Sequence, residues 1–368
     1  MLESRSSKVY SVRNKGQAKK AIGKAADVIR EGGLVCFPTE TVYGLGADAM
    51  NDEAVADIFR AKNRSFENPV ALHLHDVSEV EKYTSKINSR ACTLMEKFLP
   101  GPLMLIFEKN DKVSDIVTGG LRKVGIRVPR HDICLQFLEE CRTPVAATSA
   151  NSSGRLSCVK AESILEELGG KFDVLLDVGT TPLGIESTVL DVTSDPPRII
   201  RPGFITMEEI AIAIGAAPIF SDNVVPRSKD EPVSSKKTKL ILLEGDTERI
   251  AKKINSYLKV FKDKKVGLIT TDELANQFEN LSLHRKMGAR NDPALIARGI
   301  FEILRDMEKH QAEIILMEGI PREGLGRTLM LKFCRMADEV VKLFNQNHLE
   351  ESENKIPEIN SGQVKEES

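Results

Sequence analysis

The strongest constraint on the fold is a break in pattern at Ser221 to Thr238. That stretch carries Pro226, Pro232, paired serines and several lysines, with few apolar residues, and reads as a linker. Beyond it, strands and helices alternate: Leu240 to Leu243 strand, Thr247 to Leu258 helix, Val266 to Thr270 strand, a helix near Leu274, a strand near Leu281 to Leu283, Pro293 to Met307 helix, Ile314 to Met317 strand, and a last helix from about Gly326 to Phe344. Regular βα alternation is satisfied by a parallel sheet covered on both faces. Residues 239–346 are therefore expected to form a smaller Rossmann-like parallel α/β domain. Its turns Glu244-Gly245-Asp246 and Gly324-Leu325-Gly326 match neither a GxGxxG nor a Walker sequence.

Ahead of the linker, strands and helices mix without strict alternation, which predicts an α+β layer on a mixed sheet over residues 15–215. Residues 1–14 form an N-terminal segment, 216–238 the linker and 347–368 a disordered acidic tail rich in Glu, Ser and Lys. The first domain turns on Phe37-Pro38-Thr39-Glu40-Thr41-Val42-Tyr43-Gly44-Leu45-Gly46. A buried run, Leu34 to Phe37, is stopped by Pro38, and hydroxyls, a carboxylate and a tyrosine crowd a turn closed by two glycines. Glycines there are expected to let backbone approach a ligand. Asn51-Asp52 reads as the N-cap of a helix that delivers Lys62 and Arg64 at its C-terminal end.

Composition narrows the function classes. Aromatics are 5% of the chain and Trp is absent, so stacking platforms for single-stranded nucleic acid are thin. The 52 basic and 54 acidic residues nearly cancel, so bulk charge points neither to a nucleic-acid coat nor to an acidic partner. Six scattered cysteines form no CxxC pair and no His cluster accompanies them, as for reduced thiols in the cytosol. The polar start has no apolar run of the secretory kind, and no stretch is long enough to span a membrane, so a cytoplasmic location is expected.

The chemistry-bearing residues of the first domain are Thr41, Lys62, Arg64, Asn68, His73, Arg127, Ser149, Asn151, Ser187 and Arg201, each at or just past a strand or helix end near a Gly or Pro. Arginine forks clamp phosphate oxygens at two points and a lysine adds a point charge. Short hydroxyls and amides complete an oxygen shell and help place magnesium, which prefers phosphate oxygens and water to a protein cage. No Ser-His-Asp or Cys-His arrangement and no paired carboxylates are evident. Positioning and charge neutralisation, the needs of phosphoryl-type chemistry, fit such a set.

Thr39-Glu40-Thr41-Val42-Tyr43-Gly44-Leu45-Gly46, Lys62-x-Arg64 with Asn68-Pro69, Pro100-Gly101-Pro102, Gly125-x-Arg127-x-Pro129, Ser149-x-Asn151, Glu186-Ser187-Thr188-Val189 and Arg201-Pro202-Gly203 together resemble the YrdC-type threonylcarbamoyl-AMP synthase family. Arg290-Asn291-Asp292-Pro293 and Gly324-Leu325-Gly326 resemble its long, two-domain branch. The chain departs from the family pattern at Leu99, Met104 and Lys123, and its linker lacks the family's Tyr and His. The resemblance implies a YrdC-like twisted mixed sheet with a positively charged central cavity. It implies that L-threonine, bicarbonate and ATP give threonylcarbamoyl-adenylate and pyrophosphate. The tRNA threonylcarbamoyl transferase machinery then modifies an adenosine beside the anticodon. It assigns L-threonine to Thr41, His73, Arg127, Ala147 and Ser187, and ATP with its magnesium to Lys62, Arg64, Asn68, Lys123, Ser149, Asn151, Ser157 and Arg201, with Lys62, Arg64, Ser149 and Asn151 as the catalytic set. No side chain is assigned as a metal ligand. The segment Asn223 to Lys236 is expected to act as a lid. The competing readings are a double-stranded RNA-binding module without catalysis, with weak tRNA or double-stranded RNA binding, and a carbamoyl-phosphate-dependent carbamoyltransferase relative.

Overall fold

The computed structural model describes residues 5–13, 15–221 and 238–344. In chain order the first domain runs β1 (Lys8–Ser11), α1 (Lys15–Arg30), β2 (Val35–Phe37), β3 (Gly44–Asp48), α2 (Asp52–Lys62), β4 (Ala71–His73), α3 (Ser89–Phe98), β5 (Leu103–Glu108), α4 (Asp115–Thr118), β6 (Lys123–Arg127), α5 (Asp132–Cys141), β7 (Val145–Ser149), α6 (Ala161–Leu168), β8 (Val174–Asp177), β9 (Thr188–Asp191), β10 (Arg198–Arg201), α7 (Met207–Ile214) and β11 (Ile219–Phe220). These strands form one mixed sheet in the order β1-β8-β2-β3-β7-β4-β6-β5-β9-β10-β11. Lys8–Ser11 of the N-terminal segment is its edge strand, parallel to β8.

Alternation along the strands sorts the side chains onto two faces. Cys36, Leu45, Leu72, Leu105, Ile126 and Ala146 point outward into a core with Val55, Ile58 and Phe59 of α2 and Leu94 of α3. Val35, Phe37, Val145 and Ala147 point the other way, toward Ala25 and Ile29 of α1 and Phe137 and Cys141 of α5. The helix α2 starts as its sequence predicts: Asn51 Oδ1 accepts from the Glu53 and Ala54 amides, and Asp52 and Glu53 occupy the positive end of the helix dipole. It stops where Asn63 turns left-handed at φ 53°.

The two glycines of the opening motif do not close a turn. Gly44 and Gly46 begin β3, between β2 and β7. A Cβ on Gly44 would stand 2.8 Å from the Phe37 ring, and one on Gly46 2.6 Å from Val145 and 2.9 Å from the same ring. The glycines thus make room for Phe37 to lie across the sheet, rather than for a ligand.

The second domain comprises β12 (Lys239–Gly245), α8 (Thr247–Val260), β13 (Val266–Thr270), α9 (Asp272–Ala275), β14 (His284–Lys286), α10 (Pro293–Lys309), β15 (Ile314–Glu318), α11 (Leu325–Met336) and β16 (Glu339–Leu343). Its sheet is wholly parallel, in the order β14-β13-β15-β12-β16. Ile241 and Leu243 face α8, while Leu240 and Leu242 face α10 and α11. Two expectations are corrected. The helix expected from Gly326 to Phe344 ends at Met336, and the remainder is β16, because Glu339 to Leu343 alternate in exposure and pair with β12. The strand expected at Leu281 to Leu283 lies at His284–Lys286, where it pairs with β13.

One apolar cluster joins the domains: Val42, Leu156, Val159 and Ile185 of the first pack with Ile296, Ile300, Phe301 and Leu304 of α10. Ion pairs surround it, among them Arg155–Glu308, Lys309–Glu166, Arg327–Glu208 and Arg305–Glu167. Among the described residues, no helix is long and apolar enough to cross a membrane. All six cysteines are unpaired. The Asn223 to Lys236 segment read as a lid lies outside the described residues, as does the tail.

Candidate active site on the inner face of the first sheet

Strand register brings most of the expected site residues together. Ala147 faces Gly46 on one side and Ala71 on the other, and Ala71 faces Gly125. One step along, His73 lies between Val145 and Arg127. One step the other way, Ser149 pairs with Gly44, and Lys123 opens β6. Residues two apart share a face, so Lys123, Arg127, His73, Ala147 and Ser149 all stand on the side opposite the α2 core. The residues between them are Ala71, Gly125 and Ala147, no larger than a methyl, which leaves a floor between half-exposed Met104 and Ile106 and the α5 side. From the Ser149 level to the Arg127 level is four residues, about 13 Å at the rise of a strand.

At the Arg127 end, its Nη2 donates to Thr41 Oγ1 at 2.9 Å and lies 2.8 Å from Glu40 Oε2. That ion pair is misaligned for a hydrogen bond, so both Glu40 oxygens and Arg127 Nε are buried with no hydrogen-bond partner among the described residues. Thr39 Oγ1 holds Thr41 Oγ1 at 2.8 Å and donates to the Val42 carbonyl, which fixes the loop after β2. His73 packs edge-on against Phe37. Burial, and then the charge of Arg127, lower its pKa to about 3, so it is a neutral imidazole at physiological pH.

Lys62 departs from expectation. Its ammonium donates to the Ser149 and Asn151 carbonyls, and its own carbonyl accepts from the Ser153 amide. It therefore holds the Ser149-x-Asn151 loop from beneath instead of presenting an open cation. Burial, and then Arg64, pull its pKa down to about 7. Asn151 Nδ2 donates to the Ser152 and Arg155 carbonyls at 2.9 and 2.8 Å, and its buried Oδ1 has no hydrogen-bond partner among the described residues. Lys123 also departs: it shares the face, but its ammonium pairs with Asp191 at 2.8 Å.

Arg64 donates to the Asn68 and Pro69 carbonyls at 3.3 and 3.1 Å, and so braces the entry to β4; Asn68 itself is exposed. Arg201 donates to the Ser187 carbonyl at 2.9 Å and to its hydroxyl at 3.2 Å. A Cβ on Gly203 would fall 2.2 Å from the Ser187–Thr188 peptide, so only glycine lets the chain after Arg201 lie flush on that loop. Ser157 Oγ donates to Glu186 Oε1 at 2.6 Å.

Two carboxylates had no assigned role in the sequence reading. Glu40 and Glu186 both lie inside motifs, yet only the fold sets them beside Arg127 and Ser157. A third participant, Lys332, comes from α11 and meets Glu186 across 146 positions. No spacing or motif marks that pairing.

Comparison with known proteins finds relatives for both halves of the chain. A family model described as telomere recombination (Sua5, YciO, YrdC) matches residues 27–203, and one described as threonylcarbamoyl-AMP synthase, C-terminal domain, matches residues 235–337. The threonylcarbamoyl-AMP synthase of Bacillus subtilis is 38% identical over 86% of this chain and 92% of its own. That of Pyrococcus abyssi is 37% identical over 83% and 91%. The crystal structure of P. abyssi Sua5 complexed with L-threonine superposes with a TM-score of 0.84 at 35% identity, covering 91% of this chain and 99% of that one.

Proposed function

The chain belongs to the threonylcarbamoyl-AMP synthase family, in its two-domain form, and on that premise we propose that the inner face of the first sheet is where it joins L-threonine, bicarbonate and ATP. The activity is that of a nucleotidyltransferase. The threonine amine takes up the carbon of bicarbonate with loss of water and becomes a carbamate. A carbamate oxygen attacks the α-phosphorus of ATP, the bond to the β-phosphate breaks, and pyrophosphate leaves. The product is threonylcarbamoyl-adenylate, destined for a tRNA threonylcarbamoyl transferase in the cytoplasm.

The observation that carries this reading is the shared face of Arg127, His73, Ala147 and Ser149 above a floor of small residues. Arg127, with Thr41 on its Nη2, suits the threonine carboxylate; neutral His73 and the hydroxyl of Ser187 suit its hydroxyl and amine. Backbone carbonyls at Asn68, Pro69 and Ser187 orient Arg64 and Arg201, whose guanidinium forks suit phosphate oxygens. Two anions must meet here, and these guanidinium groups offset their repulsion in a partly dry site. Lys62 acts through the loop that carries Ser149 and Asn151, with Asn68 and Ser157 completing the nucleotide side. Lys123 takes part by exchanging Asp191 for phosphate. Magnesium would enter on the triphosphate oxygens, and Asn151 Oδ1 is the hard neutral oxygen that fits it. The carbamate is labile in water, so shelter in this hollow has chemical value.

The test is pyrophosphate release with reactants omitted singly. Release requiring ATP, threonine and bicarbonate together is expected, and Arg64→Ala should abolish it while the far-UV dichroism is unchanged. Release without threonine, or salt-steep RNA binding indifferent to threonine, overturns the reading in favour of a binding module.

A further inference from the structure

The second domain reaches the nucleotide side of this site with Lys332 of α11. Along α11, Leu329, Met330, Phe333 and Met336 are buried in the joint core. Arg327, Thr328, Leu331 and Lys332 recur at three- and four-residue spacing on the face turned to the first domain. Arg327 pairs with Glu208 at 2.6 Å, on the rim. Lys332 reaches further and pairs with Glu186, the two side chains being 14% and 16% exposed.

Glu186 is a junction. Its Oε1 accepts from Ser157 Oγ at 2.6 Å, its Oε2 from Lys332 Nζ, and its backbone carbonyl from the Phe204 amide. Its neighbour Ser187 receives Arg201. A carboxylate so placed creates a conflict, because it repels triphosphate and attracts the arginine that triphosphate needs. Burial pushes the Glu186 carboxyl up, but Lys332 and then Arg201 outweigh it and hold the group down at about 2, so it is ionised in use.

We infer that Lys332 is a positioning residue supplied by the second domain: it neutralises Glu186, holds the Ser157 hydroxyl through it, and keeps Arg201 turned to Ser187 and available to ATP. This rests on the assignment of Ser157 and Arg201 to the nucleotide side. The second domain is then part of the ATP site electrostatically, and its docking and nucleotide affinity are coupled.

The experiment titrates the full-length chain with ATP and magnesium by calorimetry, alongside threonine-dependent pyrophosphate release. Lys332→Met should weaken ATP binding by about tenfold or more, as expected for an unpaired charge beside phosphate. Lys332→Arg should bind within about threefold of the parent. Glu186→Gln added to Lys332→Met should recover most of the loss, since the charge needing neutralisation is gone. Arg327→Met, which breaks the rim pair, should leave ATP affinity unchanged. Lys332→Gln replaces the methionine variant if that one does not fold. Parent-like ATP affinity in Lys332→Met, an equal loss in Arg327→Met, or no recovery in the double variant overturns the inference. A parent chain that binds ATP yet releases no threonine-dependent pyrophosphate would overturn the activity and leave the binding comparison to decide Lys332.

Discussion

The two domains each place arginines at strand ends, and they use them differently. In the second domain Arg322 forks onto Glu244 and Arg290 pairs with fully buried Glu318, which Thr271 also holds through its amide and hydroxyl. Those charges are cancelled within the domain. In the first domain Arg64 donates to the Asn68 and Pro69 carbonyls, and Arg201 donates to the Ser187 carbonyl and hydroxyl while its charge is felt by Glu186. Arg127 is the intermediate case, beside Glu40 but misaligned with it. An arginine forked onto a buried carboxylate chiefly holds the fold, whereas one oriented by backbone oxygens beside a site is pre-organised for an anionic ligand. The same residue type thus does two jobs, and its surroundings decide which.

That contrast can be broken by exchange. Arg127→Ala should lower threonine-dependent pyrophosphate release by about a hundredfold or more, the scale of losing one aligned charged donor in a dry site. Arg290→Met should do the opposite: activity per folded molecule close to the parent, with stability lower by about 3–5 kcal/mol on chemical denaturation, because Glu318 is left buried and unpaired. A catalytic defect in Arg290→Met at full stability would end the comparison. Gly46→Ala sharpens it on the packing side. The added methyl meets Val145 at 2.6 Å and the Phe37 ring at 2.9 Å, so about 1–3 kcal/mol should be lost to overpacking, with partial recovery on adding Phe37→Leu. An unchanged melting temperature would argue that the ring does not lie across β3. The remaining effect is in acid. The Glu186 carboxyl sits at about 2 in the folded chain, below its ordinary 4.5. It therefore stabilises the fold above pH 4.5 and loses that contribution as pH falls toward 2. The stability difference between the parent and Glu186→Gln should shrink through that window; a constant difference would mean Glu186 is not held ionised by Lys332.

Much of the architecture was legible in the chain. Asn51 predicted the start of α2, and the βα rhythm after residue 239 predicted a parallel sheet. The misreadings have a common physical source. Gly44–Asp48 is short, glycine-rich and buried, and becomes a strand only because β2 and β7 supply partners and Phe37 fills the glycine floor. Glu339 to Leu343 follow a helix and carry mixed propensity, so the edge of β12 decides their state.

The sequence by itself determined where most strands and helices lie, because caps and two- or three-to-four-residue periodicity are local, and which residue types gather near strand ends. It also carried the motifs by which the family is seen. Only the tertiary structure decided what each charge does. Lys62 meets the Ser149–Asn151 loop, Lys123 meets Asp191, and Lys332 meets Glu186 from the other domain, each across 68 or more positions. The work done by a charged group depends on which oxygen lies within about 3 Å of it, and folding, not chain order, brings that oxygen there.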